Sequence, residues 1–414
     1  MGKIYKVAII GGGAAGLAAA AMLSEAFGSY AAVFERLDRV GKKITATGNG
    51  RGNFTNENLS VSNYHSEKSD ASAFVKGALG AFGNGETVKF LNSLGVITAA
   101  EKGRIYPASF QASSALDLLR ARIEHNGAEI FTGFEVKDIK FGKTVTMISA
   151  SGARAEAENV ILSAGGKCRK QFGTDGSGYF LASLFGHTVT PLYPSLVQIK
   201  TETDGIKQLN GIKQEAVVTF IERGTPKMRE KGDVLFTEFG VSGNAAFQVS
   251  RFAADCKGGE LSIEFLPEVS AAELENALIK KIYSAPYLLA EDILTGVVNN
   301  QLGRVIVARS GVSLKEKCPL SRVNRIVKEL KDFRLKVEGT LGFNYAQVTR
   351  GGVSLSEIDP LTMRSALEPR VYFAGEIMDI DGDCGGYNLQ WAFSSAFVAS
   401  RDIAGRYGKE IEIG

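Results

Sequence analysis

A glycine-rich turn between a short apolar run and an alanine-rich segment constrains the fold of this chain more than any other feature. The apolar run is Val7-Ala8-Ile9-Ile10, and the turn from Gly11 to Gly16 has a GxGxxG pattern. The alanine-rich segment continues to about Phe27. The pattern predicts a buried parallel strand that enters a helix. Glycines at these spacings permit the tight turn, the approach of backbone to a pyrophosphate and close packing of helix on strand.

An acidic residue stands where such a unit contacts a ribose. Gly28 and Ser29 break the predicted helix, and Ala31 to Glu35 follows as a second strand. Glu35 lies 19 residues after Gly16, where a carboxylate accepts hydrogen bonds from the adenosine ribose. A carboxylate there favours the unphosphorylated ribose of FAD or NAD over that of NADP. The first 36 residues therefore predict a dinucleotide site, because a purely structural glycine turn would leave Glu35 unexplained.

Two further segments favour FAD over NAD. Residues 41–56 (GKKITATGNGRGNFTN) offer cationic and amide groups with little bulk, which suits a long ligand, although a solvated surface loop has the same composition. Near the C-terminus, Ala374-Gly375-Glu376 and the stretch from Gly385 to Gln390 predict a second glycine turn and helix start. A helix start stabilises the negative charge of a reduced flavin. The alternative is an ordinary glycine-to-helix junction.

The order of elements predicts an α/β protein in which a nucleotide-binding domain carries a β-plus-α insertion. Helical spacing is found at 71–94 and 112–126, strands alternate over 129–163, and a last helix begins near Tyr387. A capping-box spacing at Ser270–Glu273 begins the helical part of the insertion. The predicted domains are an FAD-binding domain over 1–187 and 346–414, a β-rich insertion over 188–268 and 333–345, and a helical domain over 269–332.

Charge and cysteine usage narrow the classes of function. The 48 Lys and Arg residues against 45 Asp and Glu residues give a net charge of +3, so no nucleic-acid partner is expected. The four cysteines and three histidines are dispersed, so neither a metal site nor a local redox disulfide is predicted. Free thiols without a secretory signal predict a cytoplasmic location. No membrane association is expected, because the uncharged stretch Val7–Leu23 is short and interrupted by glycines.

These motifs, taken together, resemble the aminoacetone-oxidase-like, BaiN-like group of NAD(P)/FAD-dependent oxidoreductases, within the glutathione-reductase-type FAD superfamily. Beside the N-terminal fingerprint and the loop Thr47 to Asn56, the shared motifs are Gly103 to Pro107, Ser163 to Tyr179, Leu235 to Gly243, Gly351 to Val353 and, as the most specific, Tyr372 to Ser395. The resemblance covers almost the whole chain. It implies a tightly held FAD and a three-part α/β architecture, with a split Rossmann-like FAD-binding domain, an inserted β-rich domain and a small helical domain.

The resemblance also implies a cofactor-binding set along the whole length of FAD. The adenosine diphosphate end would contact Gly11, Gly13, Ala15, Gly16 and Glu35, with their neighbours Ala14 and Arg36, and the backbone of Val136. The stretch from the pyrophosphate to the ribityl chain would contact Lys43, Thr47, Gly48, Arg51, Gly52 and Asn53. The ribityl chain and ring would contact Gly165, Gly375, Glu376, Tyr387, Asn388 and Leu389, with Ala164 and Gly386 beside them.

The chain departs from the family pattern at two positions. The family loop usually has Cys where this chain has Gly52. The family turn usually reads G-S-T-G-D-G, whereas Gly173-Thr174-Asp175-Gly176-Ser177-Gly178 lacks the late Asp. Both departures lie where flavin or substrate is expected, so the family's substrate and catalytic residues are not transferred to this chain.

The expected reaction is hydride transfer between flavin N5 and a small organic substrate, such as reduction of a carbon–carbon double bond or oxidation of an amine. No second strand-GxGxxG-helix unit is present, so NAD(P)H as reductant would have to reach the flavin without a dedicated domain. No proton donor stands out. Tyr106, Tyr387, His187 and Cys384 are candidates by neighbourhood alone, and Arg104 is either an anion-binding residue or a surface charge.

Two alternative functions stay open at this point. One is an FAD-dependent protein that modifies nucleic acid, which the near-neutral charge disfavours. The other is a flavin-binding sensor without turnover. The sequence assigns neither the catalytic residues nor the oligomeric state.

Overall fold

The computed structural model describes residues 3–256 and 258–413 and divides the chain into two compact units. The first unit is discontinuous and comprises Met1–Tyr193 and Gln347–Gly414, whereas the second is Pro194–Ala346. Each unit has its own hydrophobic core. The second unit contains both the β-rich and the helical residues of the insertion. The three-domain division predicted from the sequence stays a prediction.

The described residues form short strands and helices of varied length. In chain order the strands are β1 (Ile4–Ile10), β2 (Ala31–Phe34), β3 (Thr55–Asn56), β4 (Tyr64–His65), β5 (Thr98–Glu101), β6 (Arg104–Pro107), β7 (Glu129–Phe131), β8 (Val136–Phe141), β9 (Val145–Ser149), β10 (Arg154–Leu162), β11 (Tyr193–Ser195), β12 (Ile199–Thr201), β13 (Lys213–Glu222), β14 (Thr225–Thr237), β15 (Gly240–Ser242), β16 (Gly259–Phe265), β17 (Phe333–Thr340), β18 (Val348–Arg350), β19 (Val371–Phe373) and β20 (Asp381–Gly382). The α-helices are α1 (Ala14–Phe27), α2 (Ala71–Ala81), α3 (Asn84–Ser93), α4 (Ala112–His125), α5 (Ser177–Leu184), α6 (Asn244–Val249), α7 (Ala271–Ser284), α8 (Asn300–Arg309), α9 (Val323–Lys331) and α10 (Tyr387–Gly405).

The first unit is built on a mixed sheet with a parallel centre. Its strand order is β7-β2-β1-β10-β9-β8, and β19 also pairs with β10. Strands β7, β2, β1, β10 and β19 are parallel, whereas β9 and β8 are antiparallel to their neighbours. Residues Val7 to Ile10 are almost completely buried, as expected for a parallel strand covered on both faces.

The parallel register aligns the carboxyl ends of four strands. Ile10 is opposite Phe34 and Leu162, and Leu162 is opposite Phe373. The residues that directly follow these four strands therefore lie along the same carboxyl edge of the sheet. They are Gly11, Glu35, Ser163 and Ala374. Ligands of open α/β sheets bind at this edge.

Small residues allow the first and last helices of the first unit to pack closely. Most of α1 is buried, and it packs against α10. A Cβ at Gly16 would lie 1.9 Å from the Gly11 carbonyl oxygen, so only glycine fits where α1 crosses the turn. The N-terminal fingerprint thus forms the predicted strand, turn and helix.

The second unit is a closed antiparallel barrel with helices beside it. Its strand order is β12-β15-β14-β13-β16-β17, and β12 pairs with β17 to close it. Helix α7 begins with the predicted capping box, in which Ser270 and Glu273 bond reciprocally. Helices α8 and α9 follow, and α9 buries Val323, Ile326, Val327 and Leu330 on one face. The expected β-rich and helical segments are therefore present.

The helical region predicted at 71–94 is confirmed and is divided in two. The helical region 71–94 is two helices, because α2 ends at Ala81 and α3 begins at Asn84. Gly83 precedes α3, and its N–H donates to Glu86 Oε2 at 3.0 Å, so a capping arrangement interrupts the apolar periodicity. Within the described residues, no helix combines the length and the apolar character needed to cross a bilayer.

Candidate cofactor site

The start of α1 is open to an anion. Gly13 precedes the helix, no side chain caps it, and its first turn carries no acidic residue. A Cβ built on Gly13 would have no protein atom within 4 Å, so empty space lies beside the first N–H groups of the helix. Ala14 and Ala15 begin the helix with minimal side chains. This arrangement suits a pyrophosphate at the positive end of the helix.

Glu35 lies beside the same turn, directly after β2. Its carboxylate accepts N–H groups from Gly12 and Leu37, each at 2.8 Å, and it is 9% exposed. Its backbone accepts from Phe134, close to the buried Val136 at the start of β8. Each carboxylate oxygen keeps a lone pair for a further donor. The predicted adenosine residues Glu35 and Val136 are therefore brought to the same region.

Arg36 is turned toward the segment before α5. Its Nη1 lies 2.7 Å from Asp175 Oδ2 and 3.3 Å from Ser177 Oγ. Its Nε is buried and has no hydrogen-bond partner among the described residues. Arg36 is named in the sequence-based prediction but its carboxylate partner is not, because 139 residues separate the two.

The loop of residues 41–56 is tightly folded rather than extended. It contains a 3₁₀ segment, Ile44–Gly50, with left-handed backbone at Gly48 and Asn49. The Thr47 hydroxyl donates to Ile44 O at 2.6 Å, which fixes this turn. Gly52 has φ +78°, and a Cβ there would lie 2.9 Å from Ala112 Cα. Glycine in place of the family Cys is therefore required by the packing of this chain.

Arg51 is stacked on aromatic side chains. Its guanidinium carbon lies 4.5 Å from the ring centres of Tyr106 and of Phe110, and it forms an ion pair with Glu101. Tyr106 is buried. This contact holds the predicted cofactor residue Arg51 against β6, and it covers the candidate proton donor Tyr106.

The second glycine turn joins the loop to α10. Glu376 Oε2 lies 2.5 Å from Lys43 Nζ, and Glu376 Oε1 accepts the Thr349 N–H at 3.0 Å. A Cβ on Gly375 would lie 2.9 Å from Ala15 Cβ, which places this turn against the start of α1. The predicted residues Ala15, Lys43, Gly375 and Glu376 thus meet although they are distant in sequence.

The start of α10 is a second uncapped helix terminus. Gly386 precedes it with φ +105°, no side chain caps it, and its first turn carries no acidic residue. A Cβ on Gly386 would lie 2.8 Å from Asn53 Oδ1, and that oxygen is buried without a hydrogen-bond partner among the described residues. Buried acceptors in folded proteins are normally hydrogen-bonded, so we expect a ligand to supply a donor to Asn53 Oδ1.

The remaining predicted residues support these turns. The Asn388 side chain bonds the N–H and carbonyl of Gly382, each at 2.8 Å, and Tyr387 O accepts the Tyr64 hydroxyl at 3.0 Å. Leu389 packs against the core of the first unit. Ala164 and Gly165 follow β10 at the carboxyl edge of the sheet, and a Cβ on Gly165 would lie 2.8 Å from Thr174 Cγ2.

The candidate proton-transfer groups are dispersed. His187 lies just after the end of α5, where its N–H donates to Ala182 O, and its buried ring has Nδ1 3.1 Å from Glu357 and Nε2 2.7 Å from Ser365. Cys384 lies in the loop before α10, and Arg104 is part of β6.

A polar pair beside the Cys384 loop was not predicted from the sequence: His65 Nε2 and Asp383 Oδ1 are 2.8 Å apart. The signal is the pairing of β4 with β20, which no local pattern shows. Buried Cys168 lies instead beside Thr349, whose hydroxyl is 3.3 Å from its Sγ, and burial raises the pKa of its thiol to about 12.

The residues present fit FAD. The start of α1 suits a pyrophosphate, Glu35 would accept ribose hydroxyls, and the start of α10 together with Asn53 would offer a positive helix end and an acceptor to a flavin ring. Among the described residues, no three His, Cys, Asp or Glu side chains are grouped so that they could hold a metal ion.

Comparisons with known proteins agree with this geometry. The HI0933-like protein Rossmann domain matches residues 5–402. The chain is 36% identical over 411 residues to the 3-dehydro-bile acid delta(4,6)-reductase of Clostridium scindens, covering 97% of this chain and 99% of that protein. It is 30% identical over 410 residues to the ribosomal RNA dihydrouridine synthase of Escherichia coli, covering 96% and 98%.

Among solved structures, the 3-ketosteroid-delta4-(5alpha)-dehydrogenase of Rhodococcus jostii RHA1 superposes with a TM-score of 0.49 at 14% identity over 96% of each chain.

The family match confirms the predicted resemblance, the α/β class and FAD as the cofactor. The chain belongs to the HI0933-like family of FAD-binding Rossmann oxidoreductases.

Proposed function

We propose that the protein is an FAD-dependent reductase that transfers a hydride to a small organic substrate, with NAD(P)H as the electron donor. The observation that carries the proposal is the pair of uncapped helix starts, at Gly13 and Gly386, with Glu35 beside one and Asn53 beside the other. The 36% identity to a reductase of 3-dehydro-bile acids supports an apolar substrate with a conjugated carbon–carbon double bond.

The N-terminal fingerprint would hold the adenosine diphosphate half of the cofactor. Open space lies at Gly13, directly before α1, and the first N–H groups of the helix would bind the pyrophosphate there. Glu35 would accept the ribose hydroxyls, because each of its oxygens is held by only one backbone N–H. These assignments fix the orientation of the cofactor along the carboxyl edge of the sheet.

The C-terminal segment would hold the reactive half. When bound, FAD supplies hydride transfer at flavin N5. The partial positive charge at the start of α10 would stabilise negative charge on the reduced ring, and Asn53 Oδ1 would accept an N–H of that ring. The Lys43–Glu376 pair would hold the ribityl side of the site in place.

Anaerobic reduction of the FAD-loaded protein tests this proposal. We expect NADH or NADPH to bleach the flavin absorbance, and a steroid with a conjugated enone to restore it anaerobically with formation of the reduced steroid. Reduction without reoxidation by any enone would contradict the proposed substrate class. Failure of both nicotinamides would contradict the proposed electron donor.

RNA is the second candidate substrate, because the chain is 30% identical to a ribosomal RNA dihydrouridine synthase. That relative means that the net charge of +3 does not exclude nucleic acid. The same reduced protein should then be reoxidised by unmodified ribosomal RNA, and mass spectrometry would detect dihydrouridine in the product. A flavin-binding sensor would reduce neither the steroid nor the ribosomal RNA.

A further inference from the structure

The Arg36 side chain lies between two segments that the sequence keeps far apart. Its Nη1 is 2.7 Å from Asp175 Oδ2, 3.3 Å from Ser177 Oγ and 3.8 Å from Glu135 Oε1. The side chain is 19% exposed, and its buried Nε has no hydrogen-bond partner among the described residues. A buried guanidinium N–H without an acceptor is unfavourable, so an acceptor from outside the chain is expected.

The unpartnered Nε lies at the adenosine end of the proposed site. Arg36 directly follows Glu35, whose backbone N–H donates to Phe131 O at 2.8 Å and whose carbonyl accepts from Phe134 N at 2.9 Å. These bonds fix the segment after β2 against the turn that leads to Val136. The guanidinium therefore cannot move away from the predicted ribose and adenine contacts without breaking its bonds to Asp175.

Asp175 holds both Arg36 and the start of α5. Its Oδ1 accepts the Ser177 N–H at 3.0 Å, and its Oδ2 accepts from Arg36. Burial raises the pKa of the Asp175 carboxyl, but hydrogen bonds from Arg36 and Ser177 outweigh burial and lower it to about 2. The carboxylate is therefore ionised at neutral pH, and its two oxygens receive donors from different segments.

We propose that Asp175 is a positioning residue for the adenosine half of FAD, which it serves by fixing the Arg36 guanidinium so that its Nε–H faces the cofactor. This inference rests on the assignment of the Glu35 end of the site to adenosine.

Titration of the apoprotein with FAD, ADP and FMN tests the inference. Asp175→Asn keeps the shape of the side chain but removes its charge. It should weaken binding of FAD and of ADP roughly tenfold, the effect of one lost charge-assisted hydrogen bond, and leave FMN binding unchanged. Arg36→Lys keeps a cation near Asp175 but removes Nε, so it should have the same selective effect. Asp38→Asn, on the same segment with a 79% exposed side chain, is the matched control.

A relocated carboxylate provides the sharper test. Ser177 Oγ already lies 3.3 Å from Arg36 Nη1, so the double variant D175S/S177D should return FAD affinity to within about threefold of wild type. Equal affinity of wild type, D175N and R36K for FAD and ADP would overturn the inference. A loss that is equal for FMN and ADP would also overturn it, because it would show a general structural effect. Failure of wild-type apoprotein to bind FAD would instead overturn the cofactor assignment on which the inference rests.

Discussion

Lys43 Nζ lies 2.5 Å from Glu376 Oε2, although the two residues are 333 positions apart in the chain. Their side chains are 24% and 20% exposed, and Glu376 also accepts the Thr349 N–H through its other oxygen. The pair joins the loop of residues 41–56 to the second glycine turn at the carboxyl edge of the sheet. The framework of the cofactor site is thus held by contacts within the protein.

A double-mutant cycle should detect this contact in the apoprotein. Lys43→Met and Glu376→Gln each remove one charge, and we expect a coupling of about 1 kcal/mol, between the values of exposed and buried pairs. Urea unfolding of the two single variants and the double variant measures it. Strictly additive effects would show that the ion pair contributes nothing to the framework.

Gly13 precedes α1 and Gly16 lies within it, and replacing each by alanine should have opposite effects on the stability of the apoprotein. In Gly13→Ala the new Cβ meets no protein atom, so the apoprotein should keep its stability within about 0.5 kcal/mol while FAD affinity falls. In Gly16→Ala the Cβ would lie 1.9 Å from Gly11 O, so the fold itself should be damaged. Thermal unfolding of the apoproteins and FAD titration separate the two effects. Full FAD affinity in Gly13→Ala would place the pyrophosphate elsewhere.

Asn53 and Asn56 form a second contrasting pair. Asn53 Oδ1 has no partner among the described residues, so Asn53→Ala should leave apoprotein stability nearly unchanged but weaken FAD binding and shift the flavin absorbance. Asn56 Nδ2 donates to Gly385 O at 2.9 Å, and its Oδ1 accepts from Asn58 N. By contrast with Asn53→Ala, Asn56→Ala should therefore lower the unfolding temperature, by an amount that differential scanning fluorimetry resolves. An unaltered flavin spectrum and affinity in Asn53→Ala would argue against a ring contact.

Buried His187 should make stability depend on pH. Burial lowers the pKa of His187, and the smaller effect of Glu357 opposes this shift. In the unfolded chain the pKa is about 6.5, so the unfolded state binds more protons below that pH. The unfolding free energy should fall as the pH decreases through about 6.5, and its His187 part should be fully present above about 7.5.

Replacement of His187 by Gln should flatten this part of the profile. Urea unfolding from about pH 5 to 8 measures it, and His125→Gln at an exposed helix end is the matched control. Identical slopes for wild type and His187→Gln would contradict a preferentially protonated unfolded state at this residue.

Local pattern was sufficient for the nucleotide-binding framework. The strand, turn and helix from Val7 to Phe27 follow from apolar runs and glycine spacing, and the capping box at Ser270 follows from a four-residue pattern. These features depend on neighbours in sequence, which is why they are readable without a structure. The interruption at Gly83 was not predicted, because it depends on the hydrogen bond from the Gly83 N–H to Glu86 rather than on apolar spacing.

Long-range contacts were beyond the sequence. The closure of the barrel between β12 and β17 depends on register across the whole second unit. The partner of Arg36 lies 139 residues away, and the His65–Asp383 pair depends on two-residue strands. Contacts between residues distant in sequence leave no periodic pattern. The proposed cofactor residues could therefore be named from motifs, but the residues that bind and position them could not.

Mass analysis of the cofactor released from the purified native protein tests the central claim most directly. The account predicts FAD at about one equivalent per chain, bound again stoichiometrically after removal and dialysis. FMN or a nicotinamide nucleotide in its place, or an apoprotein that fails to take up FAD, would contradict it.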